Sequence, residues 1–146
     1  MHFHLTEEQK AIQDAVRGTL ADSWPIERIH AFADGDADFD RESWHALMAL
    51  GLGGMLAPDS GMGLLDAALV CEVAGEAAAA GPLIGQLLAV AAVAASGKGD
   101  AEALASGAQV ATLVHGGSDY APSARAADLF LIVDRVAGVR LVPAAE

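Results

Sequence analysis

The sequence predicts a mainly α fold, a helical bundle of about five to six helices followed by a short, incomplete β segment, and three observations carry that prediction. Over most of residues 6–107, apolar residues recur at helical spacing in stretches opened by capping residues. A glycine-rich joint with a single proline, GLGGMLAPDSGMGLL, lies between two of those stretches and allows helices to meet at close range. Beyond residue 107 the pattern changes to short aliphatic and β-branched runs at 110–114, 129–133 and 139–142. The expected organisation is therefore a helical domain over 1–107 and a partial β-domain over 108–146.

Each element has a local reason. Thr6-Glu7-Glu8-Gln9 forms a capping box, and Ile12, Val16 and Leu20 then recur every four residues on a helix expected to end near Ala21. Pro25 is well placed as a first helical residue ahead of Ile26, Ile29 and Phe32. Asp40 caps a third helix whose apolar face is Trp44, Leu47 and Met48, and Gly51 is its expected left-handed terminator. Beyond the joint, a helix over 64–80 is expected to bury Leu65, Leu69 and Val73 and to stop at Gly81-Pro82. The next helix, 83–96, is apolar nearly all round and is expected in the middle of the bundle. Gly97-Lys98-Gly99 ends it, and Asp100 caps a last short helix that stops at Gly107. The final two strand-like runs are joined by a turn at Ala137-Gly138, and a sheet of three short strands leaves its edges open.

Composition narrows the function classes. A net charge of −12 argues against binding nucleic acid or anionic lipid through a basic surface. The single cysteine, Cys71, excludes an internal disulfide framework and fits a reducing, cytoplasmic setting, and in an Ala/Leu/Val helix it is expected to be a small buried filler. The N-terminus has no apolar segment of the secretory type, and the apolar window at 83–95 is too short to span a bilayer, so no membrane partner is expected.

Several residue patterns invite a chemical reading. His2 and His4 stand one residue apart on a terminal segment and are expected to be solvated rather than metal ligands. Asp34, Asp36, Asp38 and Asp40 alternate as in calcium loops, but the glycine is at Gly35 and the closing glutamate is missing, so a solvated acidic loop is expected. Glu72 and Glu76 lie one helical turn apart. Such a pair suggests acid–base or di-metal chemistry, but no Glu-x-x-His accompanies them, and no metal site is expected. Gly116-Gly117-Ser118-Asp119 is a loop whose successive N–H groups could face an anion, against the plainer reading of a surface turn.

Read as a series, several pieces resemble the N-terminal region of acyl-CoA dehydrogenases across roughly residues 3–107. They are the opening Phe3-His4-Leu5-Thr6-Glu7-Glu8-Gln9, Trp44-His45-Ala46-Leu47 with Leu50-Gly51-Leu52, Pro58 with Gly61 and Gly63-Leu64, and Glu72-Val73-Ala74-Gly75. Gly81-Pro82-Leu83 and the alanine-rich helix after it resemble the divergent members that actinobacteria use on bulky or steroid-derived thioesters. The resemblance implies a helical domain packed against a middle β-domain and a C-terminal four-helix bundle, with FAD between them and a neighbouring subunit. It implies α,β-desaturation of an acyl-CoA thioester in a homo- or hetero-oligomer. A glutamate of the C-terminal domain would take the α-proton while the β-hydrogen leaves as hydride to the flavin. These residues hold no counterpart of that domain, so no catalytic residue is expected here, and the chain alone is expected to be inactive. The family's Thr-Glu-Pro before Gly-Ser-Asp is missing, and the segment with the flavin-packing Trp-x-Thr is shortened to YAPSARAADLFLIV. By resemblance, Gly117 and Ser118 are the cofactor-binding positions and Leu83, Gln86 and Leu87 line the acyl pocket, against a core-packing reading of the same three. The alternative expectation is a non-catalytic helical association module derived from the family.

Overall fold

The computed structural model describes residues 4–35 and 39–144. Six helices come first: α1 (Glu7–Ser23), α2 (Ile26–Ala33), α3 (Arg41–Met48), α4 (Leu64–Glu76), α5 (Leu83–Ser96) and α6 (Ala101–Ala105), with a single 3-10 turn at Leu52–Gly54. Three strands follow, β1 (Ala111–His115), β2 (Leu129–Asp134) and β3 (Gly138–Pro143). The sheet order is β1-β2-β3, parallel between β1 and β2 and antiparallel between β2 and β3. The predicted class holds, and the parallel pairing is what the sequence pattern did not reveal.

Caps expected from sequence are present. Gln9 N–H donates to Thr6 Oγ1 at 3.1 Å while Thr6 N–H donates to Gln9 Oε1 at 3.0 Å. Asp40 accepts from Ser43 N–H at 2.8 Å, Asp100 accepts from Ala103 N–H at 2.9 Å, and Gly51 takes a left-handed φ of 80°. Pro25 is the residue before α2 rather than its first member, and α1 runs on to Ser23.

Helices α1 and α4 run side by side in the same direction, joined by a polar ladder. Gln9 Nε2 donates to Asp66 Oδ1 (2.9 Å), Gln13 Nε2 to Leu69 O and Glu72 Oε2 (3.3 and 3.2 Å), and Arg17 lies 3.7 Å from Glu76. This ladder fixes the phase of α4. Its buried residues are Ala67, Val70, Val73 and Ala74. The expected core position Leu65 is 61% exposed and Leu69 is half-buried. Apolar residues on every side of α4 make its periodicity ambiguous, and the polar contacts to α1 decide which of them face inward.

The expected end of α4 at residue 80 is also corrected. The helix stops at Glu76, where Ala79 N–H donates to Ala74 O and Ala78 N–H to Gly75 O, a Schellman closure with Ala78 at a left-handed φ of 49°. Trp24 Nε1–H donates to Ala78 O at 3.1 Å and holds this turn from the inside.

The core divides into two clusters that meet along α5. Leu83 and Leu87 pack with Val16, Trp44, Val70 and Val73 on the helical side, whereas Ala89, Val90 and Val93 pack with Leu104, Ala111 and Leu131 on the sheet side. Helix α5 is therefore central, as its composition predicts, but one flank lies on a sheet and not on other helices. Gly85 makes that docking possible: a Cβ there would stand 2.5 Å from Leu113 N. Gly53 does the same against α6, where a Cβ would meet the Ala105 carbonyl.

Candidate functional site

Where the end of α4, the turn after it, the start of α5 and β1 converge, they enclose an apolar cleft of about 250 Å³. Cys71 and Gly75 come from α4, Ala78 from the turn, Leu83 and Ile84 from α5, and Thr112 and Pro122 from β1 and the loop beyond it. Thr112 is fully buried and its hydroxyl donates to Pro122 O, so it closes the loop onto the strand rather than offering a donor to a ligand. Cys71 is the one titratable group among the lining residues, and burial pushes its thiol upward, which keeps it protonated near neutral pH. The chemistry the cleft offers is apolar shape.

Of the three positions expected to line an acyl pocket, Leu83 lines this cleft and the other two face inward. Leu87 is 2% exposed and belongs to the core. Gln86 is fully buried, and its amide is wholly used: Nε2–H donates to Leu104 O (2.6 Å) and Gln109 O (2.8 Å), and Oε1 accepts from Ala111 N–H (2.6 Å). It bridges α5, the end of α6 and the start of β1. Ile84, 59% exposed, is one of several lining residues that sequence reasoning missed, Gly75 and Ala78 among the others. Its signal was an isoleucine one residue into a helix start, which periodicity alone does not separate from core.

In the loop expected to face an anion, the Gly116 and Ser118 N–H groups are bonded to protein oxygens. Gly116 N–H donates to Val133 O (2.7 Å), Ser118 N–H to His115 O (2.9 Å), and Tyr120 N–H to Ser118 Oγ (3.1 Å). Gly117 has φ 85° and is exposed, as is Ser118. The Asp134 carboxylate lies so close to Gly116 that a Cβ there would meet it. The backbone N–H groups of Ala137 and Val136 hold Asp134 below the usual carboxylate range, and so it stays ionised. A flavin phosphate brought to this loop would meet a carboxylate, and the Gly116 and Ser118 amides are already turned to protein oxygens. The Asp134 carboxylate and the two occupied amides do not fit that group.

Among the described residues, neither acidic pattern forms a site. Glu72 and Glu76 point to Gln13 and Arg17 on α1, away from each other's chemistry. Asp40 caps α3 and pairs with Arg28 at 2.8 Å, while Asp36 and Asp38 lie outside the described residues, as does His2. His4 is exposed. Among the described residues, no group of three or more His, Cys, Asp or Glu is arranged to hold a metal ion, and no helix is long and apolar enough to cross a membrane.

The fold has solved counterparts. A chain of the ChsE4-ChsE5 complex from Mycobacterium tuberculosis superposes with a TM-score of 0.78 at 22% identity, covering 100% of this chain and 50% of that one. A variant of the Tcur3481-Tcur3483 steroid ACAD gives a TM-score of 0.75 at 21% identity, covering 94% of this chain and 48% of that one. The chain thus spans about half the length of the solved chains it matches. No curated protein matches it at a significant level. The family model for the acyl-CoA dehydrogenase N-terminal domain matches residues 6–117, which runs from the first helix cap through β1 into the 116–119 loop. The chain belongs to the acyl-CoA dehydrogenase family.

Proposed function

We propose that this chain is the acyl-facing N-terminal part of a flavin-dependent acyl-CoA dehydrogenase that desaturates an acyl-CoA thioester between its α and β carbons. The observation that carries the reading is the apolar cleft at the meeting point of α4, α5 and β1, which offers shape to an acyl group and no polar competitor. Leu83 and Ile84 line it from α5, with Leu87 supporting it from the core.

No carboxylate lines the cleft, so the base that takes the α-proton has to come from elsewhere in the assembly. The same holds for most of the grip on FAD, since the Gly116 and Ser118 amides of the 116–119 loop are occupied and Asp134 stands beside it. Gly117 and Ser118 would then border the cofactor without carrying its phosphates. FAD, when bound, supplies the electron sink; the residues of this chain supply a dry wall that orients the acyl group. On this reading the 146 residues are inactive alone and work in a cytoplasmic homo- or hetero-oligomer. Both solved counterparts carry paired names and one is described as a steroid ACAD, which favours a bulky, steroid-derived acyl group and a heteromeric assembly.

The Asp134 carboxylate beside the 116–119 loop, a poor neighbour for a phosphate, favours one alternative, a helical association module that has kept the fold without the reaction. The native gene product, isolated from its source organism with its partners, separates the two. Flavin absorption in the visible range together with acyl-CoA oxidation supports the dehydrogenase reading. A colourless, stable oligomer that oxidises no acyl-CoA overturns it in favour of the association module.

A further inference from the structure

Two cleft-lining residues oppose the backbone preference of their own positions. Gly75 sits in the last turn of α4 with regular helical geometry, and a Cβ added there meets nothing within 4 Å. Alanine would fit that space and favour the helix. Three residues on, Ala78 occupies the left-handed position of the Schellman turn at φ 49°, where glycine is the residue without a steric penalty. The pair is inverted with respect to stability: the methyl is missing where the helix wants it and present where the turn does not. Both residues line the cleft, as does Cys71, one and two helical turns earlier. Trp24 Nε1–H, bonded to Ala78 O, keeps the turn in place, and Trp44 packs where a Cβ on Gly81 would stand, 3.0 Å away.

We propose that Gly75 and Ala78 are specificity-determining residues that set the width and contour of the cleft, and so decide which acyl groups it admits. The cleft gives room at residue 75 for a branch or ring of the acyl group and closes with the Ala78 methyl beside it. This inference rests on the acyl-binding reading of the cleft. Its physical basis is that a single methyl in an apolar pocket shifts discrimination between ligands by about tenfold or more.

Two opposite substitutions test it. Gly75→Ala adds a methyl to the wall, Ala78→Gly removes one, and both are expected to raise the melting temperature. Cys71, the only cysteine, reports the cleft directly. Its labelling rate is measured with methyl methanethiosulfonate and with a bulky N-substituted maleimide, in each variant and with added acyl-CoA. The expected result is that the bulky-to-small rate ratio falls in Gly75→Ala and rises in Ala78→Gly. In the complete assembly, the preference for branched over straight acyl-CoA, read as a ratio of kcat/KM values, follows the same two directions by about tenfold. Ratios that stay unchanged, or that move the same way in both variants while stability rises, overturn the inference and leave the acyl reading standing. Opposite shifts in labelling with no protection of Cys71 by any acyl-CoA overturn the acyl reading itself, and the specificity role with it.

Discussion

Gln86 has the most consequential side chain in the molecule, because three backbone groups from two later segments depend on its amide. Replacing it with leucine conserves volume but leaves the Leu104 and Gln109 carbonyls and the Ala111 N–H without that partner in a dry interior. Gln86→Leu is expected to destabilise the chain by about 3 kcal/mol or more, read from urea denaturation. Gly85→Ala is expected to be equally damaging for a different reason, since its Cβ would stand 2.5 Å from the Leu113 nitrogen and force α5 off the sheet; a drop in melting temperature with loss of the cooperative transition would register it. The sequence showed a lone polar residue in an apolar helix, and the family resemblance suggested a pocket. That signal was real, but its cause was a sheet edge that needed a donor and an acceptor, and nothing local to residue 86 says so. Caps were legible for the opposite reason: Thr6, Asp40 and Asp100 act on N–H groups three residues away.

Among the elements, α4 was read least well. Its start followed from the glycine joint, but its end and its buried face did not, because both are decided by partners far away in sequence: Trp24 at the closing turn and the glutamines of α1 along its length. The helix starts also carry a pH dependence. The Gln9 amide first, and then Gly63 N–H, hold Asp66 below the ordinary carboxylate range. Burial is the largest single influence on Asp40 and raises it, but hydrogen bonds from Ser43 and the Arg28 charge together outweigh it and leave Asp40 lowered as well. Both groups bind protons more weakly in the folded chain than in the unfolded one. Their stabilisation is complete above the unfolded carboxylate value and is lost as the pH falls through the folded one. Melting temperature measured from about pH 6 down to about pH 3 should fall on the acid side, and Asp66→Asn should flatten that limb. Asp40→Ala is expected to cost about 1 kcal/mol at neutral pH through loss of the α3 cap, as equilibrium unfolding would show.

At the scale of the whole molecule, the two core clusters are continuous through α5, and the helical and strand-like parts of the sequence fold onto one another. The change of period after residue 107 was visible in the sequence. The parallel β1–β2 pairing was not, because register between strands separated by a 13-residue connection is set by what covers them, here α5 and the Asp128 side chain that accepts from Val110 N–H at 2.8 Å. Among the described residues, strand β3 pairs with β2 alone and is mostly exposed. Native-state hydrogen exchange should therefore find β1 and α5 slowest and β3 fastest; strong protection of β3 in solution would mean that another polypeptide pairs with it.

The Gln86 bridge also has a consequence for synthesis. A growing chain delivers α5 before it delivers residues 104, 109 and 111, and until those arrive the amide in the first turn of α5 lacks these partners and must keep its water. The helices cannot close around α5 on the ribosome ahead of the first strand. Completion of the helical core is thus timed by the emergence of β1, and a translational pause shortly before residue 111 would hold a loosely packed intermediate with the first turn of α5 still wet.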